Sequence, residues 1–226
     1  MRRFYILALI IALRSFGVAQ DATLRGRVDV LHSSKRESGN AEVVIWLTPA
    51  QPIAPAHVNG VRLVQKNKRF TPHVVAVTAG SEVEFPNQDS FFHDVFSIYR
   101  GKPFDLGLYE SGTSRKVRFS QPGVSYIFCN IHPEMSAAVI VLTTPYFAIT
   151  ARDGSFQVNH LTPGHYRMEA WYEQASDSEL AALARDVEIV SGYNTPAVLS
   201  LHSSDAPKDH VNKYGQQYSP DKPKSY

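Results

Sequence analysis

Short apolar runs rich in Val, Ile, Phe and Tyr recur along the chain between Gly, Pro, Asn and Asp, and almost nowhere do apolar residues return at helical spacing. The pattern predicts an all-β protein. Strands are expected over residues 24–31, 42–47, 61–65, 73–77, 82–86, 116–119, 124–129 and 137–142, then over 156–158, 166–172, 187–190 and 197–201. One short helix is expected over 178–184, with Ser176 or Asp177 capping a turn or two before Arg185. Past Leu201 the sequence turns polar and loses all apolar periodicity, so residues 203–226 read as a disordered tail to which no chemistry is assigned.

The opposite end has a different character. Arg2 and Arg3 precede an apolar run from Phe4 to Leu13, and Gly17-Val18-Ala19 supplies small residues for cleavage, so residues 1–19 are expected to be a secretory signal peptide. The run is short for a bilayer-spanning helix, which counts against the alternative of a retained anchor. A 226-residue chain that is 43% hydrophobic and 19% charged has material for a packed core and, after the leader, for two small domains. The leader carries Arg2, Arg3 and Arg14 and no acidic residue, so its loss takes the formal charge from +2 to −1. No basic stripe or nucleic-acid motif remains, and a nucleic-acid partner has no electrostatic footing. Cys129 is the only cysteine, so no internal disulfide forms even in an oxidising compartment. By itself it reads equally as an inert buried thiol.

Its neighbours change that reading. Residues 126–138 run YIFCNIHPEMSAA, an apolar strand that delivers Cys129 to its end, followed by His132 and then Met135 at three-residue steps. A thiolate, a neutral imidazole and a thioether suit copper, whereas a structural zinc site wants four Cys or His ligands. The missing imidazole has a candidate in His93, within VEFPNQDSFFHDVFS, where Phe91, Phe92 and Phe96 would exclude water. Two imidazoles and a thiolate with a weak axial thioether is the blue-copper arrangement used for electron transfer. Taken singly, His93 is an ordinary core histidine and Met135 ordinary packing. His32, His57, His73, His160, His165, His202 and His210 lack partners at ligand spacing and read as solvated surface. Asn87 and Asp89 read either as caps of turn backbone or as groups that orient His93.

Residues 61–143 resemble a complete cupredoxin of the plastocyanin and amicyanin kind, a Greek-key β-sandwich. The resemblance rests on the C-x2-H-x2-M loop, which is most similar to amicyanin, and on Phe70-Thr71-Pro72, residues 78–85, Phe92-His93-Asp94-Val95 and the Pro122-Gly123 turn. It implies that His93, Cys129, His132 and Met135 hold one type 1 copper ion. It further implies that His132 is the solvent-facing electron port, with redox partners docking transiently around Ile131 and Pro133. Residues 146–202 contain ITARDGSF, LTPGHY and Trp171, which resemble a carboxypeptidase regulatory-like, transthyretin-like β-sandwich. Arg25-Gly26-Arg27-Val28 and residues 42–47 resemble the start of that same sandwich. The expectation is a second, discontinuous sandwich built from 22–50 and 146–202, with the cupredoxin inserted between.

The expected function is that of an exported, non-enzymatic carrier of single electrons through Cu(I)/Cu(II). The alternative is a periplasmic copper carrier or sensor without redox cycling. Copper oxidases and reductases place His beside the Cys to reach further metal centres, whereas Phe128 and Asn130 flank Cys129. A structural cell-envelope module with an empty site is a third reading. One departure from the family pattern carries a prediction. The residue after the first His is usually Asn there, and it is Asp94 here. A carboxylate beside the metal favours Cu(II), so Asp94→Asn raises the reduction potential, measured by redox titration of the copper-loaded protein.

Overall fold

The computed structural model describes residues 21–32, 42–53, 56–98, 102–195, 198–203 and 210–218. The expected signal peptide lies outside them, as do residues 204–209 and 219–226 of the expected tail. In chain order the elements are β1 (Ala22–His32), β2 (Val44–Pro49), β3 (Val61–Arg62), β4 (Val64–Lys66), β5 (Arg69–Thr71), β6 (Val74–Thr78), β7 (Ser81–Pro86), β8 (His93–Ser97), β9 (Phe104–Tyr109) and β10 (Ser114–Phe119). They continue with β11 (Gly123–Cys129), β12 (Ser136–Leu142), β13 (Phe147–Ile149), β14 (Ser155–Leu161), β15 (Gly164–Trp171), α1 (Asp177–Leu183), β16 (Arg185–Ile189), β17 (Gly192–Asn194) and β18 (Leu199–Ser203). The architecture is all-β apart from α1, which Ser176 caps by accepting a hydrogen bond from the Glu179 N–H. No helix among the described residues is long and apolar enough to cross a membrane.

The strands form two face-to-face pairs of sheets. In one pair, a five-stranded sheet in the order β6-β12-β11-β8-β9 faces the sheet β10-β7-β3, and the ribbon β4-β5 stands beside them. Their shared interior holds Leu63, Val77, Phe85, Phe119, Ile127, Cys129 and Met135. In the other pair, β1 lies between β14 and the strands β17 and β18, and faces the sheet β13-β2-β15-β16. Leu24, Val28, Ile45, Leu47, Val158, Met168 and Leu201 fill that second interior.

Strand composition explains how the pairs meet. Along β12, Ala137, Val139 and Val141 point into the first interior, while Ala138, Ile140 and Leu142 point the other way and are also buried. Strand β6 divides in the same manner, Val75 and Val77 against Val74 and Ala76. These outward residues pack on Val44 and Trp171 from β2 and β15 in a third apolar cluster. A strand covered on both faces has no polar side to show, which is why 137–142 and 74–77 read as unbroken apolar runs.

Several strands escaped the sequence pattern. All of β8 is buried, yet His93, Asp94 and Ser97 interrupt its apolar run. In β9, Asp105 and Gly107 give loop signals inside a strand. The expected strand over 61–65 is divided at Leu63, because Val61 and Arg62 pair with β7 whereas Val64–Lys66 pair with β5, which folds back through Asn67 and Lys68, both at φ of 54°.

His73 departs from its solvated-surface expectation. Its Nδ1–H donates to the Ser136 carbonyl at 3.0 Å and its Nε2–H to Glu173 Oε2 at 2.6 Å, joining β6 to the segment after β15. With an acceptor at each nitrogen, the doubly protonated ring fits best. The bond that His73 donates to Glu173 raises the His73 pKa, burial opposes this, and the charges of Glu173 and Glu42 add to the rise. Folding therefore favours the imidazolium. That stabilisation is complete below the ordinary histidine value of about 6.5 and is lost as pH rises through the higher folded-state value. Thermal unfolding should show a lower midpoint at about pH 9 than at about pH 6, and Glu173→Gln should shrink that difference.

Candidate metal centre

Two distant stretches of chain build the centre. Strand β11 ends at Cys129, whose thiol is fully buried. The loop beyond it closes on itself: the Cys129 N–H donates to the Met135 carbonyl at 3.3 Å, and the Met135 N–H donates to the His132 carbonyl at 3.0 Å. Met135 is thereby returned to full burial in the same apolar cluster as Cys129. Strand β8 pairs with β11 at Phe128↔Phe96 and Cys129↔Val95, which brings His93, at the start of β8, to the Cys129 end of β11.

The structure brings together three of the four residues singled out from the sequence by their donor atoms. His93 Nδ1 and His132 Nδ1 each lie 3.6 Å from Cys129 Sγ. All three donor atoms fall within 4.8 Å of one another, and among the described residues this is the one such group of three. The separations fit a shared ion. Bonds of about 2.3 Å to sulfur and about 2.0 Å to nitrogen, as zinc makes, require this spacing across one metal. The imidazole planes of His93 and His132 are tilted by 62° with centroids 5.0 Å apart. Phe91 packs against both, at 5.3 and 5.4 Å, and forms the apolar wall they share. His93 is fully buried and His132 half-buried, so His132 is the donor nearer solvent.

Asp89 serves in both of the roles the sequence left open. Its Oδ1 accepts from the Asn67 N–H at 2.6 Å, and its Oδ2 accepts from the Lys68 N–H at 3.0 Å and from His93 Nε2 at 3.0 Å. It therefore caps the β4-β5 turn and holds the His93 ring. Burial by itself raises the Asp89 pKa, but the bonds from Lys68, His93 and Asn67 outweigh it and hold the carboxyl below its ordinary value. An ionised carboxylate only accepts, so His93 carries its proton on Nε2 and turns a bare Nδ1 lone pair toward the thiol. That is the tautomer a metal ligand needs. Asn87 supports the same turn, accepting from the Asp89 N–H at 3.0 Å and donating to the Phe91 carbonyl at 2.8 Å.

Burial biases the three donor groups toward their neutral forms. Burial lowers the His93 pKa, against the opposing pull of Asp89. Burial, followed by the repulsion that a protonated His93 would exert and by the positive charge of Lys68, lowers that of His132. Burial pushes the Cys129 thiol up, and N–H groups at Asp94, Ile131 and His132 pull it partly back. Two neutral imidazoles and a thiol fit a cation that displaces the thiol proton.

The chain's polar end packs against the segments that carry the centre, which corrects the expectation of a disordered tail over residues 203–226 for the stretch 210–218. The His210 ring stacks on Phe128 with centroids 4.1 Å apart, and its Nε2–H donates to the Pro133 carbonyl at 2.8 Å. The Lys213 N–H donates to Asn130 Oδ1 at 3.2 Å, and the Tyr218 hydroxyl donates to the Cys129 carbonyl at 3.1 Å. Lys213 Nζ bridges Asp94 and Asp105, at 2.9 Å from each. Composition hid these residues, because their partners are single side chains and backbone carbonyls far away in sequence and leave no periodic signal.

Among solved structures, the chain is similar to a purple cupredoxin from Nitrosopumilus maritimus, with 22% identity over 100% of that protein and 37% of this chain at a TM-score of 0.34. Amicyanin from Paracoccus versutus is 23% identical over 97% of its length and 43% of this chain, with a TM-score of 0.34. A Cu-containing nitrite reductase from Thermus scotoductus SA-01 is 24% identical over 50% of this chain and 28% of the reductase, with a TM-score of 0.35. No family model matches the chain, and no curated protein matches it.

Replacing Asp89 strips the acceptor from two turn N–H groups and from a buried ring. Asp89→Ala should cost about 1.5–3 kcal/mol of stability, measured by denaturant unfolding of the metal-free protein.

Proposed function

We propose that the protein carries single electrons by means of one copper ion held by His93, Cys129 and His132, with Met135 as a weaker fourth donor. The observation that carries this reading is the convergence of two imidazole Nδ1 atoms on one buried thiol, each 3.6 Å away. A thiolate, two imidazoles and a thioether are a soft-to-borderline set that favours copper, which supplies a one-electron couple when bound.

The chain's own residues supply rigidity, a dry wall and a route for the electron. Asp89 fixes the His93 ring, and the backbone bonds between Cys129, His132 and Met135 fix the loop. Phe91 and the apolar interior exclude water, while half-buried His132 forms the port near which redox partners dock transiently. The flanks of Cys129, Phe128 and Asn130, offer no ligand leading to a second metal, and this supports a carrier and not an enzyme. The electron-carrying unit spans residues 61–143. It is inserted in a second sandwich of carboxypeptidase regulatory-like type drawn from 22–50 and 146–202, a division supported by the apolar cluster that joins β1 and β2 to β14 and β15. The expected leader makes this an exported protein.

Copper(II) added to the purified apoprotein should produce an intense thiolate-to-copper absorption that is absent from Cys129→Ala. Voltammetry should then show a reversible one-electron wave. A colourless wild type would end the copper reading. Bound copper that leaves readily and gives no reversible wave would make the protein a metal carrier.

A further inference from the structure

The contacts made by residues 210–218 converge on the two segments that present the candidate ligands. Asn130, next to Cys129, donates from its backbone N–H to the Asp94 carbonyl at 2.8 Å and from Nδ2 to Asp94 Oδ2 at 3.1 Å. The Cys129 loop and the His93 strand are thus joined through one residue pair. Lys213 grips both members of that pair, through its N–H to Asn130 Oδ1 and through Nζ to Asp94 Oδ2. His210 and Tyr218 fasten the segment on either side, to the Pro133 and Cys129 carbonyls.

The charges make this grip more than packing. The Asp94 side chain is 5% exposed and its Oδ1 has no hydrogen-bond partner, so its negative charge is held in a poorly solvated place. Among the described residues Lys213, with a side chain 16% exposed, is its only ion-pair partner. Removing one member of a buried pair leaves the other uncompensated, a far larger penalty than the loss of an exposed pair. The other carboxylate on Lys213, Asp105, is half exposed and satisfied in part by the Gly107 N–H at 2.9 Å.

We infer that residues 210–218 are a strap over the metal-binding loop and that Lys213 is its lock. Lys213 is a positioning residue that ties the Cys129 loop to the His93 strand and neutralises Asp94, the residue that follows His93 in β8. The inference rests on the copper reading for its electrochemical consequence and on the metal-free protein for its structural one. Asp94 alone would favour the higher oxidation state, and Lys213 offsets it.

The test uses the full-length protein with Lys213→Met and Lys213→Arg. In metal-free Lys213→Met, amide hydrogen exchange across 129–135 and 210–218 should accelerate about tenfold, with faster alkylation of Cys129. Lys213→Arg should restore slow exchange, because an arginine keeps the charge. In copper-loaded protein, the reduction potential of Lys213→Met should shift downward and that of Lys213→Arg should return toward the wild type. Unchanged exchange in both segments of Lys213→Met would overturn the strap. An unchanged potential beside accelerated exchange would overturn the neutralising role, and failure of Lys213→Arg to rescue would overturn the charge basis of the lock. A wild type that shows no thiolate-to-copper absorption would remove the copper reading, and the exchange and alkylation results would still decide the strap.

Discussion

A carboxylate with two oxygens holds three N–H groups at the heart of this structure. Asp89 takes the backbone N–H groups of Asn67 and Lys68, whose left-handed backbone leaves them pointing inward, and with the same carboxylate it takes the Nε2 proton of His93. The bonds to the turn keep the carboxyl ionised in a buried place. An ionised carboxyl then decides which nitrogen of His93 is bare. The Nδ1 lone pair facing Cys129 is therefore a consequence of a hairpin turn twenty-odd residues upstream, and the spacing of the candidate ligands depends on it.

Rigidity of the centre comes from where its strands sit. Strand β11 carries Ile127 and Cys129 into the interior and pairs with β12, a strand buried on both faces. A strand packed on both sides has no freedom to shift without opening two apolar clusters at once. The loop from Cys129 to Met135 thus hangs from a fixed support, and its internal hydrogen bonds leave little slack. Such a support suits a metal whose two oxidation states must share one geometry.

Charge around the centre is arranged asymmetrically. Lys68 lies over the Phe91 ring at 5.5 Å, on the side of the imidazoles, while Asp94, Lys213 and Asp105 form a chain on the side of Asn130. Asp94 stands where a neutral amide would be expected, and the chain places an ammonium against it. A charge that looks unopposed in the sequence is opposed in the fold.

The sequence by itself determined the all-β class, the strands whose apolar residues alternate or run unbroken, the capped turn of helix at Ser176, and the donor types at His93, Cys129, His132 and Met135. Those features are written in local order: periodicity reports which faces are buried, and ligand chemistry is set by residue type and short spacing. Tertiary structure alone decided that Asp89 serves turn and ring together and that His73 joins β12 to the segment after β15. It alone decided that Lys213, which sits among residues with the composition of a disordered tail, closes on Asp94. Each of these is a pairing of single polar groups across tens of residues, and such a pairing has no period, no propensity and no motif until the chain is folded.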